Sequence, residues 1–258
     1  MRTPCFVANW KMNKNRGEAL VYLQEMEKRW PQLPPLPFEA IVTPPFTLLA
    51  PMADYLKGGS VPVGLGGQNT HFEERGAYTG EISPLMLRDA GCRYVIIGHS
   101  ERRIYFGETN AIIHKKVAAA LRAGLIPILC VGETREEREE NKTWEVIERQ
   151  LREAQDDLRP GPSDWIIAYE PVWAIGTGLT PQPEEAESTH RQIRDYFLSL
   201  SEEGADTPRL LYGGSVTEKN IALFMEEADI DGVLAGGASL SAESFGNMIE
   251  LGVKAKNK

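Results

Sequence analysis

Three side chains that can move protons or hold an anion each follow a short apolar run of this sequence: Lys11, His99 and Glu170. A carboxylate at the end of an apolar strand suits a general base. An imidazole can donate a hydrogen bond to a substrate oxygen, and an ammonium group supplies positive potential for an anion. Together these residue types indicate acid–base chemistry on a small anionic substrate.

Each of the three residues also has an ordinary structural interpretation. Lys11 could be a surface lysine, His99 a hydrogen-bonded core histidine, and Glu170 a carboxylate that caps a backbone turn. The local sequence favours the functional interpretation for two of them. Lys11 stands immediately after a predicted buried strand, beside Asn9. Ser100 can cap a helix that begins just after His99, and a helix N-terminus disfavours the charged imidazolium.

Two glycine-rich turns follow later apolar runs, at 213–215 and 236–239. Glycines let backbone N–H groups approach an anion closely, and a helix that starts next adds a favourable dipole. Either turn alone could be an ordinary bend. As a pair they indicate a phosphate site, because phosphate sites in barrels of alternating strands and helices collect after the seventh and eighth strands.

Eight short apolar runs, separated by longer stretches of helical period, are predicted to be strands. They are apolar almost throughout, which is typical of parallel strands buried on both faces. Helices are predicted to begin at Pro84 and Pro183, and one is predicted to end at Gly124. The predicted strands are Phe6–Asn9, Ala40–Thr43, Pro62–Leu65, Tyr94–Gly98, Ile126–Val131, Trp165–Tyr169, Arg209–Tyr212 and Gly232–Ala235.

Strict alternation of strand and helix implies parallel pairing through helical crossovers. Eight such units in 258 residues fit a closed (β/α)8 barrel of the α/β class better than an open doubly wound sheet. An open sheet needs two exposed edge strands, and no run suits that role. We therefore expect one barrel domain over residues 1–258, with its catalytic groups in the loops after the carboxyl ends of the strands.

The charge balance excludes several classes of partner. Lys and Arg total 28 against 37 Asp and Glu, which gives a net charge of −9. So acidic a chain lacks the broad basic face that nucleic acids and anionic membranes require. No apolar run approaches the ~18 residues of a membrane span, and no leader pattern precedes the first strand. We expect a cytoplasmic protein with a locally positive site.

Three cysteines, Cys5, Cys92 and Cys130, show no C-x-x-C pairing and no histidine at metal-binding spacing. They could serve a redox or zinc role. The favoured interpretation is that they are small buried hydrophobic residues in a reducing compartment.

The residues at the strand ends resemble the triosephosphate isomerase family along nearly the whole chain, in the same order. The most specific similarity is the eleven-residue stretch 168–178, Ala-Tyr-Glu-Pro-Val-Trp-Ala-Ile-Gly-Thr-Gly. The other similar strings lie at 9–13, 98–103, 212–216 and 236–240. The resemblance implies the isomerisation of dihydroxyacetone phosphate and D-glyceraldehyde 3-phosphate through an enediol, in glycolysis and gluconeogenesis, with no metal or organic cofactor.

The resemblance also implies a role for each site residue. Glu170 would remove the proton beside the carbonyl, and His99 would polarise that carbonyl and move protons between the two oxygens. Lys11 would offset the developing negative charge. The family is itself a standard example of a glutamate base that works with a neutral histidine. The other implied residues are Asn9, Gly176, Ser215, Gly236 and Gly237 for substrate binding, and Ser100 and Glu101 for support of the catalytic side chains.

Two loops carry further expectations from the same resemblance. Residues 171–181 are similar to the family's closing lid, but Leu179, Thr180 and Pro181 depart from its usual C-terminal end. The stretch 68–81 is similar to a long loop that inserts into a second subunit. It implies a homodimer through the loop around Thr79, whereas a monomer would carry the same stretch as a surface loop.

Two rival functions remain to be weighed. Another enzyme on a phosphate-binding barrel, such as an aldolase or a synthase of tryptophan biosynthesis, would need a Schiff-base lysine within a strand or a different acid–base set. No predicted strand contains a lysine. A barrel kept only for binding or as a scaffold is expected to have lost Lys11, His99, Glu170 or the lid sequence, and all are present.

Overall fold

Eight parallel strands form a closed barrel, in which each strand pairs with the next and the last pairs with the first. The computed structural model describes residues 2–35, 37–58, 61–158, 160–161, 163–175, 180–200 and 206–257. The predicted α/β barrel with eight strands is confirmed. The strands are β1 (Cys5–Asn9), β2 (Glu39–Thr43), β3 (Gly64–Gly67), β4 (Tyr94–Ile97), β5 (Ile126–Val131), β6 (Ile166–Tyr169), β7 (Arg209–Tyr212) and β8 (Gly232–Ala235).

Helices connect the strands and cover the outside of the barrel. In the described part of the chain they are α1 (Arg16–Arg29), α2 (Phe46–Gly58), α3 (Pro84–Asp89), α4 (Ser100–Phe106), α5 (Asn110–Arg122), α6 (Arg135–Glu139), α7 (Thr143–Gln155), α8 (Pro183–Leu200), α9 (Ile221–Glu226) and α10 (Ala242–Lys256). The predicted helix starts at Pro84 and Pro183 are confirmed. Gly124 directly follows the end of α5 with a left-handed φ of 70°, as predicted for a helix terminus. None of the described helices is long and apolar enough to cross a membrane.

Two layers of buried side chains explain why the strands are apolar on both faces. One layer fills the barrel interior, where Val7, Ile96 and Ile166 pack together. The other lies between the outer faces of the strands and the helices, and it includes Ile147 and Leu151 of α7. Burial on both sides is what distinguishes such strands from the alternating strands of half-exposed sheets.

Most strand boundaries differ from the prediction by one residue or none, but β3 is shifted. The strand covers Gly64–Gly67, not the predicted Pro62–Leu65. A Cβ atom on Gly64 would lie 2.7 Å from the ring of Tyr94, and one on Gly67 would lie 2.9 Å from Leu87. Three of the four residues of this strand are glycines, which leaves room for larger neighbours to pack against it and gives little hydrophobic signal in the sequence.

Candidate active site

A cavity of about 260 Å3 opens at the carboxyl ends of the strands. Its lining includes the side chains of Asn9, Lys11, His99 and Glu170, which follow or end three different strands. The turns after β7 and β8 complete it, and they include Ser215, Gly236 and Gly237. The structure thus brings together the substrate-binding and catalytic residues predicted from sequence, apart from Gly176, which lies outside the described residues.

The backbone of Lys11 adopts a left-handed conformation with φ of 51°, which is uncommon for a residue with a side chain. Neighbouring amide side chains hold it there. The Lys11 N–H donates to Oδ1 of Asn9 (3.1 Å), and Nε2 of Gln68 donates to the Lys11 carbonyl (2.8 Å). The ammonium group forms an ion pair with Glu101 (2.6 Å). Its charge is therefore held at the cavity wall by a partner that is itself partly exposed to solvent.

His99 is buried and serves as the N-cap of α4, so the prediction that Ser100 caps this helix is wrong. The Glu101 N–H donates to His99 Nδ1 at 3.2 Å. An imidazole nitrogen that accepts a hydrogen bond carries no proton, so the proton of His99 lies on Nε2 and the ring is neutral. The backbone at the start of the helix thus selects which ring nitrogen of His99 is the acceptor.

The Glu170 carboxylate is almost fully buried and is bound by two donors. His99 Nε2 lies 3.1 Å from one oxygen, and the Ser100 N–H donates to the other at 2.9 Å. Neither donor carries a permanent charge. Both donors could instead bind another oxygen atom that enters the cavity, and the Glu170 carboxylate would then be released from these hydrogen bonds.

The turns after β7 and β8 present backbone to the cavity because they are rich in glycine, and in the turn after β7 a side chain would not fit. A Cβ atom on Gly214 would lie 2.1 Å from the hydroxyl oxygen of Tyr212. Gly237 begins a short 3-10 turn, and a Cβ atom there would meet no protein atom within 4 Å. The Ser215 hydroxyl donates to the carbonyl of Ala174 (2.8 Å). These turns offer N–H groups to an anion, next to the side chain of Lys11.

The first residues of the predicted lid are anchored to Glu133. The Trp173 indole N–H donates to this carboxylate at 2.9 Å, and the Tyr169 hydroxyl donates at 3.1 Å. Burial raises the pKa of Glu133 despite these bonds. Glu133 is thus buried although it begins the densely charged run 133–142. Lid residues 176–179 lie outside the described residues, and Pro181 is buried.

Sequence reasoning missed three residues that support the site. Gln68 holds Lys11, as described above. Arg103 donates to the carbonyls of Gly98 (2.8 Å) and Cys130 (3.1 Å), so it joins the ends of β4 and β5. Gln150 of α7 binds the peptide of Gly132. Only Gln68 and Arg103 had a visible signal, since both stand next to a strand-end motif.

The three cysteines are buried and unpaired, in agreement with the favoured interpretation. Burial raises the pKa of both Cys5 and Cys92 to about 12, which suppresses the reactive thiolate. In the part of the chain that the structure describes, no three His, Cys, Asp or Glu side chains group together as metal ligands.

Comparison with known proteins identifies close relatives over the full length of the chain. A family model described as triosephosphate isomerase matches residues 4–252. A triosephosphate isomerase of Endomicrobium trichonymphae is 48% identical over 251 residues, which cover 97% of this chain and 99% of that protein. One from Dehalococcoides mccartyi is 50% identical over 247 residues, 95% of each protein. The crystal structure of triosephosphate isomerase from Bartonella henselae matches with a TM-score of 0.86 at 40% identity, covering 97% of this chain and 99% of that one.

Proposed function

The chain belongs to the triosephosphate isomerase family and interconverts dihydroxyacetone phosphate and D-glyceraldehyde 3-phosphate, and we propose that Glu170, His99 and Lys11 carry out this reaction. This isomerisation places the enzyme in glycolysis and gluconeogenesis. The observation that supports the assignment is that one small cavity contains a carboxylate, a neutral imidazole, an ammonium group and two glycine turns.

Each proton has a defined route in the proposed mechanism. Glu170 removes a proton from the carbon beside the substrate carbonyl, and the C–H electron pair forms the carbon–carbon double bond of the enediol. His99 Nε2–H donates to the carbonyl oxygen as negative charge develops there. The imidazole then moves a proton between the two oxygens, and Glu170 returns its proton to the neighbouring carbon. The sum is an isomerisation without net gain or loss of atoms, which requires neither metal nor organic cofactor.

The contacts of Glu170 indicate how a substrate enters this cycle. His99 Nε2 is bonded to Glu170, and it can bond a substrate oxygen only if the carboxylate gives up that contact. Release also frees the carboxylate oxygen that must reach the substrate carbon. Substrate binding and base activation are thus one exchange of hydrogen-bond partners, with the Ser100 N–H as the second contact to be released.

The substrate phosphate is assigned to the turns after β7 and β8. Among the described residues that line the cavity, Lys11 is the one with a permanent positive charge, so the remaining affinity for phosphate comes from backbone N–H groups. Ser215, Gly236 and Gly237, together with Gly176, are proposed to bind it. Asn9 orients the substrate beside Lys11. The lid over 171–181 excludes water from the enediol, as lids do in this family.

We further infer that residues 1–258 form one domain and that the enzyme works in the cytoplasm.

The test of function is turnover of D-glyceraldehyde 3-phosphate by the purified protein, detected as dihydroxyacetone phosphate. The wild type is expected to be active. In His99→Gln, a donor remains but the proton shuttle is lost, so the product should gain more label from deuterated solvent. His114→Gln, which changes a histidine outside the cavity, is the matched control. Absent wild-type turnover would exclude this function and favour another phosphate-binding barrel enzyme or a scaffold.

The enzyme is proposed to be a homodimer. Met12, next to the catalytic lysine, exposes 96% of its surface, and Tyr78 and Met86 are also large apolar side chains with about half their surface exposed. Large apolar side chains left exposed in one chain are candidates for burial against a second one. The loop that carries Tyr78 and Thr79 is closed at its base by the His71 N–H, which donates to the Ile82 carbonyl (2.8 Å). A preformed loop of this kind can dock on a partner without further ordering.

Thr79→Arg tests the dimer, because it would place an unpaired cation in a closed interface, where desolvation costs several kcal/mol. The variant should sediment as a monomer, keep its helical circular dichroism and lose activity. Thr3→Arg introduces the same change at an exposed threonine before β1 and should remain dimeric. An active dimer carrying Thr79→Arg would show that this loop lies outside the interface.

A further inference from the structure

Gln150 makes two hydrogen bonds to the backbone of a single residue, Gly132, beside the active site. Its Oε1 accepts from the Gly132 N–H (2.8 Å), and its Nε2 donates to the Gly132 carbonyl (3.0 Å). Gln150 lies on the inner face of α7 and is buried, as are both bonds. Gly132 directly follows the last residue of β5. The side-chain amide of Gln150 thus provides hydrogen-bond partners for the N–H and carbonyl of Gly132, just beyond the end of the strand.

The backbone of Gly132, which Gln150 holds, lies against the main chain of Glu170. A Cβ atom on Gly132 would lie 1.7 Å from the Glu170 carbonyl oxygen, so the two backbones are in direct contact. The Glu170 N–H donates to the carbonyl of Val131 (2.8 Å). On the opposite side, a Cβ atom on Gly213 would lie 2.9 Å from Glu170 Cγ. Glu170 is therefore fixed between two glycine backbones, one of which depends on Gln150.

The residue that follows Gly132 also contacts the first residues of the lid. The residue after Gly132 is Glu133, whose carbonyl accepts from the Val172 N–H (3.1 Å) and whose carboxylate binds Trp173. Displacement of Gly132 would therefore shift both the base and the first residues of the lid. The phosphate-binding turns follow β7 and β8 and receive no contact from Gln150 among the hydrogen bonds of the described residues.

We propose that Gln150 is a positioning residue that sets the distance between the Glu170 carboxylate and the substrate carbon. This inference rests on the proposed role of Glu170 as the base. It acts through the Gly132 peptide and involves no contact between Gln150 and the substrate. Loss of this clamp should therefore slow proton transfer far more than it weakens phosphate binding.

The test compares Gln150→Met with Gln155→Met. Both replace a glutamine of α7 by a side chain of similar length, and Gln155 instead donates to the hydroxyl of Tyr196 (3.1 Å). In Gln150→Met, kcat per folded molecule should fall about tenfold or more, since small displacements of a base have large effects on rate. KM, and competitive inhibition by inorganic phosphate, should stay within about twofold of wild type. Gln155→Met should retain wild-type kcat.

A deuterium isotope effect separates misplacement of the base from loss of active protein. With substrate deuterated at the carbon that loses its proton, Gln150→Met should show a larger isotope effect on kcat than wild type. Gln150→Glu, which keeps an acceptor for the Gly132 N–H but loses the donor to its carbonyl, should behave similarly if Gln150→Met does not fold.

Two results would overturn the proposal. One is a kcat within about twofold of wild type in both variants. The other is a lower kcat with a wild-type isotope effect, which means fewer active molecules. Failure of the proposed function itself is recognised separately, because the wild-type enzyme would then not turn over D-glyceraldehyde 3-phosphate.

Discussion

Two buried carboxylates, one at each end of the barrel, are held in different ways. At the N-terminal end, Arg194 of α8 donates to Asp229 (2.9 Å), to Asp231 (2.8 Å) and to the Thr207 hydroxyl (2.5 Å). At the C-terminal end, the buried carboxylate of Glu170 is bound by a neutral imidazole and a backbone N–H. The buried carboxylate of Asp231 is thus matched by opposite charges, whereas that of Glu170 is not. Glu108, also buried at the C-terminal end, is paired with Lys116, so Glu170 differs from its own neighbours as well.

This difference indicates that Arg194 and its partners stabilise the fold, whereas Glu170 is held so that it can react. A buried ion pair that keeps all its partners fixes the geometry of the strand ends, but it leaves no group free to react. A carboxylate held by neutral donors can exchange them for a substrate at little electrostatic expense. Substitutions at the catalytic end should therefore change rate or affinity, and substitutions at the other end should change the free energy of unfolding.

Replacement of Lys11 by methionine should have the largest effect on catalysis. Methionine keeps similar length and apolar bulk but removes the cation, and loss of one such electrostatic contact costs up to about 10³-fold in rate. The affinity for substrate should fall as well, and low salt should not restore it because the lost contact is local. Stability should change little, since Glu101 remains partly solvated.

Steady-state kinetics with Lys14→Met as control checks this prediction. Lys14 lies three residues away, with its ammonium group over the rings of Trp10 and Tyr22, outside the catalytic cavity. Its variant should keep wild-type rates. A wild-type rate in Lys11→Met would mean that this lysine is only a surface charge.

At the N-terminal end, Arg194→Met should lower the free energy of unfolding by about 3 kcal/mol and leave kcat unchanged. It deprives a fully buried carboxylate, Asp231, of one of its two arginine partners, and breaking such a pair is strongly destabilising. Urea denaturation measures the effect. Arg191→Met, on the same helix but largely exposed, should cost less than about 1 kcal/mol. Loss of turnover with unchanged stability in Arg194→Met would contradict the separation of the two ends.

Glu170→Asp keeps the charge but withdraws the carboxylate by one methylene. The base would then lie about 1 Å further from the substrate proton, which is expected to lower kcat about 10²-fold. Thermal unfolding followed by circular dichroism should match wild type. A correctly folded variant with nearly normal turnover would exclude Glu170 as the base.

Gly237→Ala tests whether the phosphate is bound by backbone. A Cβ atom at this position meets no protein atom within 4 Å, so the variant should fold normally. If the Gly237 N–H binds phosphate, the added methyl group crowds it, and KM should rise about tenfold with kcat nearly unchanged. Gly58→Ala, at the end of α2 with similar open space, is the control. An unchanged KM in Gly237→Ala would place the phosphate elsewhere.

The sequence predicted which side chains line the cavity better than it predicted the residues that support them. Lys11, His99 and Glu170 were visible because each polar side chain interrupts an apolar strand pattern at its end. Gln150 was not, since a glutamine on a helix has many possible partners. Its two bonds to Gly132 join residues 18 positions apart, and only the packed structure shows that they meet.

The fold was predictable for a related reason. Seven strands carry runs of branched or aromatic side chains, whereas β3 consists of three glycines and one leucine and was placed two residues too early. Its position is set by the side chains of Tyr94 and Leu87, which occupy the space that larger residues would need. The cap of α4 was assigned to Ser100 because serine is a common N-cap residue. In the structure His99 both caps the helix and lines the cavity.

The smallest predicted effect concerns His190, which lies behind the catalytic wall. It is fully buried on α8, with its ring against those of Tyr169 and Tyr212, the last residues of β6 and β7. Burial lowers the pKa of His190 below its ordinary value of 6.5. The folded protein therefore binds this proton less readily than the unfolded chain does, so stability is lost as the pH falls below 6.5.

Each unit of pH within that window should remove at most about 1.4 kcal/mol of unfolding free energy through this residue. His190→Gln keeps a donor for the Ala186 carbonyl, which lies 2.7 Å from Nδ1 in the wild type, but cannot take up the proton. As the pH falls from 7 to 5.5, the wild type should therefore lose more unfolding free energy than the variant does. Because this difference is measured at each pH, the other titrating groups cancel. His114→Gln, which changes a partly exposed histidine that also faces a backbone carbonyl, is the control. Parallel slopes for His190→Gln and wild type would show that the core behind the site admits the charged ring, which would contradict this prediction.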